Sequence, residues 1–533
     1  MNTVRDEKTL RVENSERCHA PGSLTSERVM AFGVSIAMGA ALLLVAADVS
    51  QAEPNRHALR QLTNITVGDV ERPKLRSQDA DAFAFQATGD LLGIGTSTVN
   101  TQIYYWREDT GVITQVTNGI GCDSYDVARP TDGVFSGSRP EVIAFASTCD
   151  LDPTRDNSDG NAEIFFWEIF SGTFHQITDT PPGVTNGEPY TSDSGRCLVF
   201  SSNGDLDDND GSDQDHPGPG YSNVDGSQEV FLYSKIDGEV NYPHNAIFTQ
   251  VSDGPFGTTS KSPVVGGYWF ARQCQTTAYQ SDHDQLGKGE VGNRIYMYRR
   301  PASAVEDMST ADEIAPGPTF PAGEYQNPHI SSASPFARGP HIVFESEPDL
   351  WNNGSVGNDI FDYRVFHSRM TQFTTSTILD VTKRPNVSDG GGVVVFDSTG
   401  EFVSQKREAR IGGLPPFNAD ANAEIYRLKG RKRVFQLTRS EGCENTHVSI
   451  KDNGRRILFR STCDLIPGSN PSGLPQLFLW SLEKSNSPVL ASCEEASGCC
   501  AWQRKGPASC YEPVFGSKPK PPRPNCLERD RCD

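Results

Sequence analysis

The chain has 533 residues and carries 69 Asp plus Glu against 48 Lys plus Arg, a net charge of −21 at pH 7. That length exceeds one ordinary core, so several domains or one repeat array is required, and the negative charge repels phosphate backbones and anionic headgroups, which removes nucleic acid from the expected partners. Frequent Gly (49) and Pro (35), with Phe (27) and Tyr (15) leading the aromatics, suit many short strands joined by turns, an all-β chain.

In chain order, residues 30–47 form an apolar run preceded by Arg28 and followed by Ser50-Gln51-Ala52, small residues of the kind signal peptidase requires. Cleavage is expected after Ala52, giving a periplasmic or extracellular chain with no stable membrane insertion. The run is almost long enough to span a bilayer, so an uncleaved anchor remains the alternative. Of the 13 Cys, Cys18 lies in this leader, leaving an even 12, as expected for disulfides in an oxidising compartment.

From here one strand pattern recurs seven times: AFAFQATGDL (82–91), VIAFASTCDL (142–151), CLVFSSNGDL (197–206), YWFARQCQ (268–275), HIVFESEPDL (341–350), VVVFDSTGEF (393–402) and ILFRSTCDL (457–465). Each copy is apolar on both faces, as a strand packed between two neighbouring sheets must be. Before it comes a short strand and a tight turn, as in EPYTSDSGR and RPNVSDGGG. After it comes a third strand, again in seven copies: QIYYW, EIFFW, EVFLY, RIYMY, DIFDY, EIYRL and QLFLW. A fourth strand ends as TQVT, HQIT, TQVS, TQFT and FQLT, with no clear copy in the fourth unit, where residues 301–321 read as loop. Four strands per unit make a propeller blade, so a single β-propeller of about seven four-stranded blades is expected over residues 53–492. Arg60-Gln61-Leu62-Thr63 repeats the fourth-strand motif with no blade before it, and is expected to close the ring by completing the seventh blade; residues 488–492 are the rival for that place. Closure removes free sheet edges, and a monomer is expected.

The P-x-x-S-x-x-G-x-x-V-x-F-x-S unit followed by [DE]-[IV]-[YF] and Q-[LV]-T resembles the TolB-type, WD40-like propeller repeat over about residues 58–492. The resemblance implies the fold; such propellers serve many roles. Between Ala52 and the first blade there is no room for the small α/β domain that TolB carries, so its role in the envelope is not carried over.

Facing residues of an antiparallel hairpin have positions summing to a constant. Cys443 and Cys463 centre on Asn453 of an Asp-Asn-Gly turn, which places them opposite each other within bonding range. Cys122 and Cys149 hold the corresponding places in the second blade. Both pairs are expected as disulfides, four reduced thiols being the alternative. Cys197 and Cys274 fall at opposite ends of adjacent second strands and stay unassigned. Residues 493–533, rich in Pro and basic residues, hold Cys493, Cys499, Cys500, Cys510, Cys526 and Cys532; so short a tail relies on disulfides.

In a repeat protein a residue present in every blade is structural. The Asp of S-x-x-D-L recurs as Asp90, Asp150, Asp205, Asp349 and Asp464 and reads as a turn cap. Asp159-Asn161-Glu163 and Asp420-Asn422-Glu424 repeat before third strands and read as loop-fixing groups. The strongest departure is the acidic insert of the third blade, where Asp205, Asp207, Asn209 and Asp213 offer hard oxygens that suit Ca²⁺; the spacing departs from an EF-hand at Asp210, so a solvated acidic loop stands beside the calcium reading. Asp152, Asp156 and Asp159 form a weaker copy. Turn alternation puts these loops and both expected disulfides on the face that carries the blade-to-blade links, the expected binding surface.

Neither a G-x-S-x-G elbow nor a phosphate-binding glycine loop is present. The expected function is therefore non-catalytic binding of a protein or cell-envelope glycan, with no catalytic residues assigned. The alternative is a metal-dependent carbohydrate-active enzyme in which His216, His244 and His283 converge on the propeller mouth.

Overall fold

A computed structural model describes residues 57–482, apart from 77–79, 94–98, 133–140, 207–222, 235–246, 269–271, 286–291, 300–310, 314–323, 332–339, 348–353, 356, 377–380, 401, 403–417, 419, 431–432 and 452–453. It is a seven-bladed β-propeller, with seven sheets of four antiparallel strands each. Six blades order their strands as consecutive neighbours, and the seventh borrows its outer strand from the N-terminus.

The innermost strands of blades 1 to 7 are Val70–Leu75, Ser124–Tyr125, Asn186–Thr191, Ser260–Tyr268, Tyr325–Ile330, Thr382–Val387 and Asn445–Lys451. The strand beside each is the apolar one. Ala82–Ala87, Val142–Ser147, Cys197–Ser202, His341–Ser346 and Val393–Ser398 are buried at every position, because each blade packs both faces against neighbours and water reaches neither.

One device recurs in every blade. The aromatic of the second strand lies directly across from an aromatic of the third and stacks on it: Phe85 on Tyr104, Phe145 on Phe165, Phe200 on Phe231, Tyr279 on Tyr296, Phe344 on Phe361, Phe396 on Tyr426 and Phe459 on Phe478, with centroids 5.3 to 6.0 Å apart. Such pairs contribute about 0.5–1.5 kcal/mol each beyond the area they bury.

The fourth blade corrects the sequence expectation. Its second strand is Arg272–Ser281, not 268–275, and its inner strand extends to Tyr268. The repeated aromatic there is Tyr279, within the polar stretch TTAYQS. An outer strand, Ala311–Glu313, lies inside the segment read as loop.

Ring closure is visible atom by atom. His57–Gln61 pairs antiparallel with Gln476–Leu482. Thr63 donates its hydroxyl to Gln476 Oε1 (2.9 Å) and accepts from the Leu477 amide (2.8 Å). Thr117 makes the same two bonds with Gln102 and Ile103 inside blade 1, so the N-terminal strand reproduces the fourth-strand motif from 413 residues away. Glu163, Glu229, Asp359 and Glu424 serve as the acceptor for Thr178, Ser252, Thr374 and Thr438 in blades 2, 3, 5 and 6. Blade 4 has Arg294 there, its guanidinium 5.0 Å over the Tyr325 ring. With no acceptor at that position the Q-x-T signature has no partner to select it, which explains its absence from the sequence.

Cys122–Cys149 and Cys443–Cys463 are disulfides, with Cα atoms 5.2 and 5.3 Å apart. Gly119 lies under the first, where a Cβ would overlap both sulfurs. Gly454, with φ +77°, turns the hairpin of the second, and a Cβ there would run into Val393. Cys197 and Cys274 are also bonded, with a Cα separation of 5.8 Å. Once the second strand of blade 4 begins at Arg272, Cys274 moves to the same end as Cys197, and the apparent mismatch of ends disappears.

Candidate functional site

The inner strands surround the axis of the ring, and all seven break their ladder at the same place. Register shifts occur between Glu71 and Lys74, Gly187 and Tyr190, Lys261 and Val264, Gln326 and His329, Lys383 and Asn386, and Thr446 and Ser449; in blade 2 the ladder stops at Tyr125. The first bulge residue is left-handed in every blade: Arg72, Asp126, Glu188, Ser262, Asn327, Arg384 and His447 all have φ between 48° and 54°. Proline follows five of them, which suits a residue dropped from the ladder because it has no amide to leave unpaired.

A non-glycine residue in this conformation costs on the order of 1–3 kcal/mol. Four of the ring members are held by the blade before them. The Asp126 amide donates to Gln86 Oε1 (2.9 Å), the Glu188 amide to Asp126 Oδ2 (3.1 Å), the Ser262 amide to Glu188 Oε2 (2.5 Å) and the Arg384 amide to Glu345 Oε1 (2.5 Å). Identical backbone thus presents seven positions that carry six different side-chain types.

These residues and those just beyond them enclose a central cavity of about 320 Å³, within the size range of small-molecule sites. Its charged lining is Arg72, Lys74, Arg129, Arg384 and Lys451 against Asp126 and Glu188, a cationic centre in a strongly acidic chain. Four cations are paired: Arg72 with Asp126 (2.6 Å), Arg129 with Asp193 (2.7 Å), Arg384 with Asp397 (3.3 Å) and Lys451 with Asp389 (3.3 Å). Burial pushes Glu188 and Asp389 up, the latter against the pull of Lys451.

The two lining histidines are neutral. Burial, reinforced by nearby cations, holds His447 down to about 3 and His329 well below its ordinary value. His329 Nδ1 accepts from the Val387 amide (3.3 Å), so its proton sits on Nε2 and is donated to the Tyr190 hydroxyl at 3.2 Å. That bond joins blades 3 and 5 across the cavity wall.

The residues expected from sequence lie elsewhere. Asp205 follows the second strand of blade 3, where its Oδ1 accepts from the Asn223 amide (3.3 Å). Asp207, Asn209 and Asp213 lie outside the described residues, as do His216 and His244. His283 is half-buried; its amide donates to Ser281 Oγ and its carbonyl accepts the Tyr296 hydroxyl. Asp152 accepts from Thr154 and from the Gln176 amide, tying its loop to the outer strand of blade 2, and Asp156 accepts from Ser158 within the loop. Asp464 accepts from the amides of Gly468, Ser469 and Asn470, a turn cap. Asn161 and Glu163 tie their loop to Thr180, and Asn422 and Glu424 tie theirs to Ser440. Among the described residues no group of three or more His, Cys, Asp or Glu is placed to hold a metal ion, and no helix is long and apolar enough to cross a membrane.

Sequence reading missed the channel residues. Their signal was the recurring x-Pro of the inner strand in Arg72-Pro73, Glu188-Pro189, Ser262-Pro263, Asn327-Pro328 and Arg384-Pro385, whose variable first position is the ring member.

No protein-family model matches the chain, and a search of the curated proteins finds no match. Solved structures do resemble it. An oligogalacturonate lyase from Vibrio parahaemolyticus is 12% identical, with 80% of this chain and 94% of that chain covered and a TM-score of 0.47. The acylaminoacyl peptidase of Pyrococcus horikoshii is 12% identical over 80% of this chain and 55% of its own, with a TM-score of 0.41. TolB from Acinetobacter baumannii is 12% identical over 58% of this chain and 55% of its own, with a TM-score of 0.31. At these identities and scores, nothing about the site of this chain follows from them.

Proposed function

We propose that the chain is an exported, non-catalytic propeller of TolB-like repeats that binds a protein or cell-envelope glycan at its loop-rich face, with the mouth of the central channel at the centre of the contact. The observation that carries this reading is the ring of seven left-handed residues. Backbone strain is retained where the surrounding fold over-determines it, and such places cluster at binding and catalytic sites. Here the strain is sevenfold while the chemistry differs from blade to blade, the arrangement of a scaffold that displays a non-repeating surface.

Topology supports the face. Each ring member lies near the start of its inner strand, just after the link from the preceding blade, and the loops between second and third strands turn on that same side. Three disulfides support an oxidising compartment.

The test is retention of envelope glycans and proteins on the immobilised mature chain, compared with an Arg72→Gln/Arg384→Gln variant of unchanged melting temperature. A partner bound by the parent and lost by the variant is expected. A partner held equally by both, or none at all, overturns the reading.

A further inference from the structure

Lys74 stands apart from every other charged side chain that lines the channel. Among the described residues it makes neither an ion pair nor a hydrogen bond, and it projects from the inner strand of blade 1 into the cavity. The acids nearby are committed: Asp126 to Arg72, Asp193 to Arg129 and Asp389 to Lys451. The amine is pushed down to about 8, first by burial and then by Arg72, with Arg129 and Lys451 adding to it and only Asp126 opposing. Its positive charge is therefore held at a cost that Asp126, already paired with Arg72, offsets only in part.

We propose that Lys74 anchors a site for a compact anionic group, a carboxylate or a phosphate, bound in the central channel. The proposal rests on the reading of the channel as the binding centre and deepens it. An anion beside Lys74 supplies the missing counter-charge in a confined space, where charge-assisted hydrogen bonds are strongest. Arg129 lines the same cavity and adds to the positive field there, although its guanidinium is already held by Asp193 (2.7 Å) and the Thr191 carbonyl. The cavity of about 320 Å³ admits a group of this size. The titratable and charged groups around Lys74 are Arg72 of its own strand, Asp126 and Arg129 of blade 2, Glu188 of blade 3, His329 of blade 5, Arg384 of blade 6, and His447 and Lys451 of blade 7. With both histidines neutral, Lys74, held down to about 8, loses its charge just above neutrality.

The test is calorimetric titration of the mature chain with malonate and, separately, with inorganic phosphate, at constant ionic strength set with chloride. Saturable binding is expected for at least one probe, with the tighter of the two identifying the group. Lys74→Met should weaken it by about tenfold or more, whereas Lys74→Arg should keep it within about threefold. Malonate stays fully ionised between pH 7 and 9, so its affinity for the unmodified chain should fall by about tenfold over that interval as Lys74 loses its proton. The pH arm decides the matter even if Lys74→Met does not fold. Equal binding by Lys74→Met, a flat pH profile, or only a non-saturable salt effect overturns the site. Failure of both probes, while a partner is still retained in an Arg72- and Arg384-dependent way, overturns the anion site and leaves the binding reading standing.

Discussion

Asp397, on the second strand of blade 6, is 4% exposed, and its Oδ1 has no hydrogen-bond partner, while its other oxygen lies 3.3 Å from Arg384. Burial, outweighing Arg384 and aided by Glu345, pushes the carboxyl up to about 7. The unfolded carboxyl releases its proton near 3.9. Between those values the folded chain binds more protons than the unfolded one, so this group makes stability fall as pH rises, by at most about 1.4 kcal/mol per pH unit. Asp397→Asn, a neutral isostere of the protonated acid, should flatten the decline of melting temperature between pH 5 and 8. An unchanged slope in the difference between the two proteins would mean that Asp397 is ionised in the fold. The sequence showed only the aspartate of VVVFDS; its titration is decided by its burial between blades, with Arg384 and Glu345 acting on it from an adjacent strand and an adjacent blade.

At the scale of elements, the hairpins explain what was legible. The apolar second strands and their aromatic partners sit close in sequence, so their period and spacing were readable. Cys443–Cys463 followed from the local arithmetic of its hairpin, and Cys122–Cys149 from holding the corresponding places of the repeat. Cys122–Cys149 closes a separation of 27 residues, for which chain entropy gives about 3–4 kcal/mol. Cys122→Ser/Cys149→Ser should lose that much in urea unfolding without altering the fold, and a loss under about 1 kcal/mol would show that the hairpin is ordered without the bond. Blade 4 was misread for a local reason. The run YWF imitates the repeated pattern, whereas the true strand carries Tyr279 among Thr, Ala, Gln and Ser, and owes its burial to blades 3 and 5 on either side. Cys197–Cys274, which staples blade 3 to blade 4, stayed hidden because its geometry depends on that strand.

At the scale of the molecule, everything depends on closure. Removing residues 57–61 strips the outer strand from blade 7 and leaves the edge of Gln476–Leu482 unpaired, a template for strand addition. The truncated chain should melt at a lower temperature and form concentration-dependent oligomers by size-exclusion chromatography; a monomer as stable as the parent would show that the ring holds without its clasp. Closure also brings Arg460 to Asp69, two bonds of 3.0 Å to the paired oxygens across the junction of the last and first blades. The sequence by itself determined the seven blades, the N-terminal clasp and two disulfides, because each rests on periodicity or on pairing that repeats along the chain. Only the tertiary structure decided the channel. Its ring takes one residue from each blade, and its charge balance, neutral histidines and unpaired Lys74 arise from contacts between strands far apart in the chain, which no local pattern encodes.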